Sequence, residues 1–140
     1  MDRPTVEVYE REGANYAVRR GLRRPERAEA FAAAVDGPRL DLGCGPGLHL
    51  PLLGQPVFGA DAAAAMVQAA SAHAPVVQAD LVDLPFGRRT LAGIWASKAH
   101  QHVPAAWLPL ALADAHRSLR TGGRLHLTVF AADDPTRPTT

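Results

Sequence analysis

Three aspartates stand at or near the ends of three short apolar runs. Asp41 lies in Leu40-Asp41-Leu42, Asp61 follows Val57-Phe58-Gly59-Ala60, and Asp80 follows Val76-Val77-Gln78-Ala79. The first run continues into Gly43-Cys44-Gly45-Pro46-Gly47, with glycine at every second position. Carboxylates accept hydrogen bonds from hydroxyl, amino and ammonium groups. Glycines let the backbone take positive φ and approach a ligand with no Cβ in the way. Acids and glycines in this order point to a nucleotide-type cofactor. A further polar stretch, Ser97-Lys98-Ala99-His100-Gln101-His102, follows the apolar run 91–96. A neutral His100 or His102 could take a proton from an acceptor N–H or O–H. No third ligand stands at helpful spacing from them, so no metal site is read.

The elements that must position these groups alternate in type. Pro25 in a first turn, then Ala28, Phe31, Ala32 and Val35 at three-to-four spacing, predict a helix closed by Asp36-Gly37-Pro38. Strand one spans Arg39–Leu42, and the glycine turn after it should open a short helix, with Pro51 inside and Gly54 as its stop. Such a helix would aim free N–H groups and a positive dipole end at the ligand. Strand two ends at Asp61, an alanine-rich helix covers 62–72, and strand three is Val76–Gln78. Strand four covers 91–96. Leu108, Leu112, Ala115 and Leu119 mark the buried face of a last helix, which Thr121-Gly122-Gly123 ends. Strand five runs from Arg124 to Phe130. Strands and helices in alternation imply an α/β fold with a parallel sheet and right-handed crossovers. Ligands bind such sheets at the carboxyl ends of strands, where the aspartates and residues 97–102 fall.

Composition sets the limits. A length of 140 residues suits one domain, and no apolar run reaches the roughly 18 residues of a membrane span. Met1-Asp2-Arg3-Pro4 lacks the apolar core of a secretory signal, and Cys44, alone of its type, excludes an internal disulfide. A cytoplasmic location is expected. A net charge of +1 gives no bulk attraction to nucleic acid or membrane. Arg19, Arg20, Arg23 and Arg24 form a basic cluster flanked by Glu12, Glu26 and Glu29, and read as a solvated face. Cys44 reads as a small buried residue, and Asp83 and Asp114 as solvated surface.

The cofactor can be narrowed. A dinucleotide fingerprint requires a third glycine at position 48, which is leucine, and no Gly-Lys-Ser/Thr follows to make a phosphate loop. A hydride-transferring dehydrogenase is therefore a distant reading. Leu40–Gly47, the acid closing strand two, Ala79-Asp80-Leu81, Leu84-Pro85-Phe86 and Leu119-Arg120-Thr121-Gly122-Gly123-Arg124-Leu125 resemble class I S-adenosylmethionine-dependent methyltransferases, more narrowly their type 11 group. The resemblance runs from about Arg39 to Val129 in unbroken order. It implies a Rossmann-like doubly wound sheet of five strands in the order 3-2-1-4-5, without the sixth and seventh strands usual in that class.

The resemblance also implies roles. Asp41 would steer the methionine amino group over the backbone of Gly43, Cys44, Gly45 and Gly47. Asp61 would accept from the ribose hydroxyls beside Ala62, with Met66 near the adenine. Asp80 would accept from the adenine amino group, Leu81 would offer its N–H to a ring nitrogen, and Ser97 would close the methionine end. The expected organisation is an N-terminal helical segment or lid (1–36), a cofactor-binding methyltransferase domain (37–131) and a tail (132–140). The expected acceptor is a small molecule, with no membrane partner. Balanced charge disfavours RNA. An unpaired strand five would need cover, from a second copy or from the N-terminal segment. The second hypothesis is a module that binds the cofactor without activity of its own.

Overall fold

The computed structural model describes residues 25–129. The arginine cluster 19–24, most of the expected lid, Phe130 and the tail lie outside the described residues.

Helix α1 (Pro25–Ala34) buries Ala28 and Phe31. It lies so close to the sheet that a Cβ on Gly93 would stand 2.8 Å from Phe31 and 2.9 Å from Val35. Strand β1 (Arg39–Leu42) is buried throughout, as a central parallel strand should be. Then come β2 (Val57–Asp61), helix α2 (Ala64–Ala70), β3 (Val76–Gln78), β4 (Leu91–Ser97), helix α3 (Leu108–Ser118) and β5 (Leu119–Thr128). The sheet has the order β3-β2-β1-β4-β5, with every pairing parallel. That is the expected doubly wound topology.

Side chains alternate between two cores. Leu40, Leu42, Ile94 and Ala96 meet Ala111 and Ala115 of α3 on one face. Val57, Ala92 and Trp95 meet Phe31, Leu50 and Leu53 on the other.

Several local expectations are corrected. The glycine turn leads into a single 3-10 turn, Leu50–Leu52, and not into an α-helix. Pro51 at its start withholds an N–H, and no run of helical bonds follows. Helix α2 is shorter than 62–72, beginning at Ala64 after an Ala63 cap with no side-chain bond. Helix α3 turns Ala111, Ala115 and Ser118 inward and leaves Leu108 and Leu112 half-buried, because small residues allow close approach to the sheet. Strand β5 already begins at Leu119. Residues 120–123 protrude between the pairs Leu91↔Leu119 and Gly93↔Arg124, with Gly122 at φ 80°.

Two polar anchors hold the loops. Arg39 is only 4% exposed. Its guanidinium donates to the carbonyls of Ala32, Val35, Gly37 and Leu53 at 2.8–3.1 Å. Asp114 is not idle surface: its Oδ2 accepts the Leu84 N–H at 2.7 Å. Arg117 pairs with Asp114 and donates to the carbonyls of Phe86 and Leu84. Together they fix the β3–β4 loop beside the carboxyl ends of the strands.

Candidate cofactor site

The glycine turn is pinned from below by β2. The N–H groups of Gly43 and Cys44 both donate to the Ala60 carbonyl, at 2.7 and 3.0 Å. Gly45 N–H donates to Asp61 Oδ2 and Ala63 N–H to Asp61 Oδ1, each at 2.9 Å. Gly43, Gly45 and Gly47 take φ values of 68°, 56° and 90°, which other residues adopt only with strain. A Cβ on Gly43 would fall 2.4 Å from the Ala99 Cβ, which shows how closely the turn abuts the segment after β4. Gly43→Ala should therefore destabilise the fold by roughly 2–4 kcal/mol, from the left-handed backbone plus the overlap. Urea unfolding measures this, and a loss below about 0.5 kcal/mol would show that the turn can move aside.

Asp61 is 3% exposed, so burial raises its pKa, and the N–H groups of Ala63 and Gly45 only partly offset this. In the ligand-free chain Asp61 is the clasp of the glycine turn. Each oxygen still keeps one lone pair for a further donor.

Asp41 is different. It is 2% exposed, and its Oδ2 is buried with no hydrogen-bond partner. Burial first, then the charge of Asp61, push its pKa up to about 8. A buried carboxylate oxygen without a donor marks a place where a donor belongs.

The remaining expected residues are placed as follows. Cys44 is buried, with Sγ 3.5 Å from the Gly45 carbonyl. Burial, then Asp41 and Asp61, push its thiol far up, so it is no thiolate nucleophile. Met66 and Leu81 are fully buried. Ala62 accepts from Gln78 Nε2 at 2.9 Å, and half-buried Asp80 accepts the Val82 N–H at 3.1 Å. Ser97 ends β4, and Lys98 at φ 60° donates its N–H to the Thr128 carbonyl at 2.6 Å.

His100 and His102 fall in one 3-10 turn, but their surroundings differ. The His100 ring is buried with neither nitrogen partnered, and burial lowers its pKa, so it is held neutral. His102 is half-buried. No group of three or more metal-ligating side chains occurs among the described residues.

One residue escaped the sequence reading. Trp95 is 3% exposed and stacks on His126, with ring centroids 4.1 Å apart and planes 8° apart. The His49 ring lies 5.4 Å away. The Trp95 Nε1–H is buried without a partner. A tryptophan in an otherwise small, apolar buried strand was the available signal, since a buried indole N–H needs an acceptor.

The family model described as "Methyltransferase domain" matches residues 40–123. The chain belongs to the methyltransferase domain family. No curated protein sequence gives a match. Among solved structures, this methyltransferase domain is similar to one described as "Complex between the Haloferax volcanii Trm112 methyltransferase activator and the putative methyltransferase". That match has 25% identity and a TM-score of 0.71, covering 88% of this chain and 57% of the other. A sugar N-methyltransferase from a Streptoalloteichus species is 25% identical, with a TM-score of 0.68 over 78% of this chain and 48% of its own. Geranyl diphosphate C-methyltransferase of Streptomyces coelicolor, solved with Mg2+, geranyl diphosphate and S-adenosyl-L-homocysteine, shares the fold. It has 20% identity and a TM-score of 0.61, over 71% of this chain and 43% of that one. This chain thus spans about half the length of the solved chains it matches.

Proposed function

We propose that the chain transfers a methyl group from S-adenosylmethionine to a small-molecule acceptor. The observation that carries this reading is the buried, unpartnered Oδ2 of Asp41 beside a positive-φ glycine turn. A carboxylate so placed fits an ammonium, and the glycine backbone leaves room for the body of a ligand. When bound, the cofactor supplies an electrophilic methyl group on a sulfonium. The family match and the likeness to methyltransferases of small molecules support the same reading.

In this reading Asp41 holds the ammonium, Gly43, Cys44, Gly45 and Gly47 run beneath the ligand, and Asp61 takes the ribose hydroxyls while keeping the turn closed. Met66, Asp80 and Leu81 serve the adenine end, beside Ala62, and Ser97 the methionine end. His100 is the better candidate for a base, because its ring is neutral and both nitrogens lack partners. A hollow of about 420 Å³ between α1 and β5, lined by Arg27, Phe31, Arg124 and His126, is of a size for a small molecule.

Calorimetry with S-adenosylhomocysteine tests the reading. Absence of heat at high micromolar ligand would remove it, and methyl release across a panel of acceptors then separates an active enzyme from a binding-only module. Asp61→Ala should weaken binding by about 1.5–3 kcal/mol for each lost bond to the charged acceptor, and should also loosen the turn. Unchanged affinity would take Asp61 out of the site.

The binding-only reading rests on β5. It is an edge strand in the described sheet, and Leu125, Leu127 and Val129 are 41%, 41% and 51% exposed. A second copy covering this edge is the arrangement we favour, and sedimentation tests it. No described helix is long and apolar enough to cross a membrane. A cytoplasmic location is proposed, on the single cysteine.

A further inference from the structure

The hollow between α1 and β5 is lined by none of the residues given to the cofactor. Helix α1 turns Arg27, Ala30, Phe31 and Ala34 toward it, at the i, i+3, i+4 and i+7 spacing of one helix face. Across from them β5 presents Arg124 and His126, two residues apart and so on one face of the sheet. Their register partners on β4 are Gly93 and Trp95. Gly93 lies beneath Phe31 and Val35, so this is the face that α1 covers. One guanidinium comes from each wall.

Alanine at positions 30 and 34 leaves about 420 Å³ unfilled between helix and strand. Pockets for small molecules run from roughly 300 to 1,000 Å³. The lining holds cations and apolar groups and no acid, for Glu26 and Glu29 fall off the helix stripe that faces the hollow. Among the described residues the ion pair present is Asp114–Arg117, on α3 behind the opposite face of the sheet. No described carboxylate neutralises Arg27 or Arg124.

His126 ties the two walls together. Its ring is stacked on Trp95 at 4.1 Å, and its Nε2 shares a hydrogen bond with the Thr128 hydroxyl at 3.1 Å. Burial, and then the charge of Arg27, hold the imidazole below its ordinary value, so the helix-borne cation is felt on the strand. Like charges gathered over an apolar hollow raise one another's energy, and an anion between them relieves it.

We propose that the α1–β5 hollow binds an organic anion, an apolar body bearing a carboxylate or phosphate, with Arg27 and Arg124 clasping the charged group and Ala30, Phe31 and Ala34 packing on the body. A planar guanidinium fork matches the paired oxygens of either acid. The consequence for chemistry rests on the methyl-transfer reading above: the methyl acceptor is an acid. His126 is two strands from Asp41, through Trp95, and strands lie about 4.8 Å apart. The hollow is therefore about 10 Å from the Asp41 carboxylate, a span that one small acceptor covers.

The test measures equilibrium binding to the full chain, without cofactor, for four probes. Phenyl phosphate and benzoate carry an acid on a ring, benzyl alcohol has the ring without the charge, and inorganic phosphate has the charge without the ring. At least one of the two ring acids should bind tenfold or more tighter than benzyl alcohol and than inorganic phosphate. The tighter of the two identifies the acid. Arg27→Gln and Arg124→Gln should each weaken that acid at least fivefold and leave benzyl alcohol unchanged. Arg88→Gln, an exposed charge on the β3–β4 loop, should change nothing.

Equal affinity for the acids and benzyl alcohol would overturn the proposal, as would no binding of either acid at low millimolar concentration. So would acid binding that survives both Arg27→Gln and Arg124→Gln, or that falls as much in Arg88→Gln, which marks diffuse charge attraction. Binding of S-adenosylhomocysteine is measured alongside and should be the same in all four proteins. If it is absent while the acids bind as expected, the cofactor reading fails and the anion site stands.

Discussion

Asp41→Asn is expected to weaken S-adenosylhomocysteine binding ten- to a hundredfold, while making the stability of the ligand-free protein less sensitive to pH between about 4 and 8. Both effects follow from one buried carboxyl group. Its pKa in the folded chain is pushed up to about 8, by burial and then by Asp61, from an ordinary value of 3.8. Between those two pH values the folded state holds a proton that the unfolded state has released. The stability linked to this group is therefore fully present below about pH 4 and is lost as pH rises through about 8, at up to about 1.4 kcal/mol per pH unit. Asparagine carries no such proton, so the variant's profile of stability against pH should be flatter.

Binding an ammonium favours the charged carboxylate, so ligand should drive a proton off Asp41. Affinity of the wild-type chain should then rise between about pH 6 and 8, whereas that of Asp41→Asn should be weaker and nearly flat. The lost charge-assisted bond is worth roughly 1.5–3 kcal/mol, which gives the stated fold-change. Calorimetry in two buffers of different ionisation enthalpy counts the released proton. Unchanged affinity together with no proton release would remove Asp41 from the ligand.

Arg39→Met should produce the largest loss of stability of any single substitution considered, roughly 3–5 kcal/mol. The guanidinium is buried and gathers carbonyls from the end of α1, the turn before β1, and the 3-10 turn that follows the glycines. Methionine fills most of the volume but leaves those carbonyls without a donor. Each bond to a charged donor is worth about 1.5–3 kcal/mol, although water can reach some of the freed carbonyls. For a domain whose total stability is on the order of 5–15 kcal/mol, that is a large fraction. Arg39→Lys keeps the charge, but three donors on one nitrogen cannot span carbonyls that a planar fork reaches, so it should recover only part of the loss. Urea unfolding of the three proteins decides the matter. A loss below about 1 kcal/mol for Arg39→Met would mean that the surrounding backbone satisfies itself.

The strands and their strand-end aspartates were legible in the sequence because they depend on local patterning, whereas the strand order followed from the resemblance to a known family. A fully buried parallel strand must be a short apolar run, and a turn at positive φ must be glycine, so Leu40–Gly47 announces both. The helix expected after that turn was not realised. Pro51 was visible, but its consequence depended on whether Leu50 and Leu53 would be drawn into the core below α1, as they are. The face of α3 was misread for a similar reason. Leucines at helical spacing look like the buried stripe, yet the sheet lies so near that only Ala111, Ala115 and Ser118 fit against it.

By itself the sequence determined the class of fold, the glycine turn and the identity of the acids at the strand ends, all of which follow from residue type and spacing along the chain. Tertiary structure alone decided what those acids do. Asp41 and Asp61 look alike in the sequence, but Asp61 closes on two backbone N–H groups while Asp41 is left with a bare oxygen. It also paired Asp41 with Trp95, 54 positions further on, because β1 and β4 are adjacent only once the sheet has formed. Whether a buried polar atom is satisfied depends on strands that the sequence keeps far apart. For that reason the turn could be read from its glycines, and the vacant acceptor beside it could not.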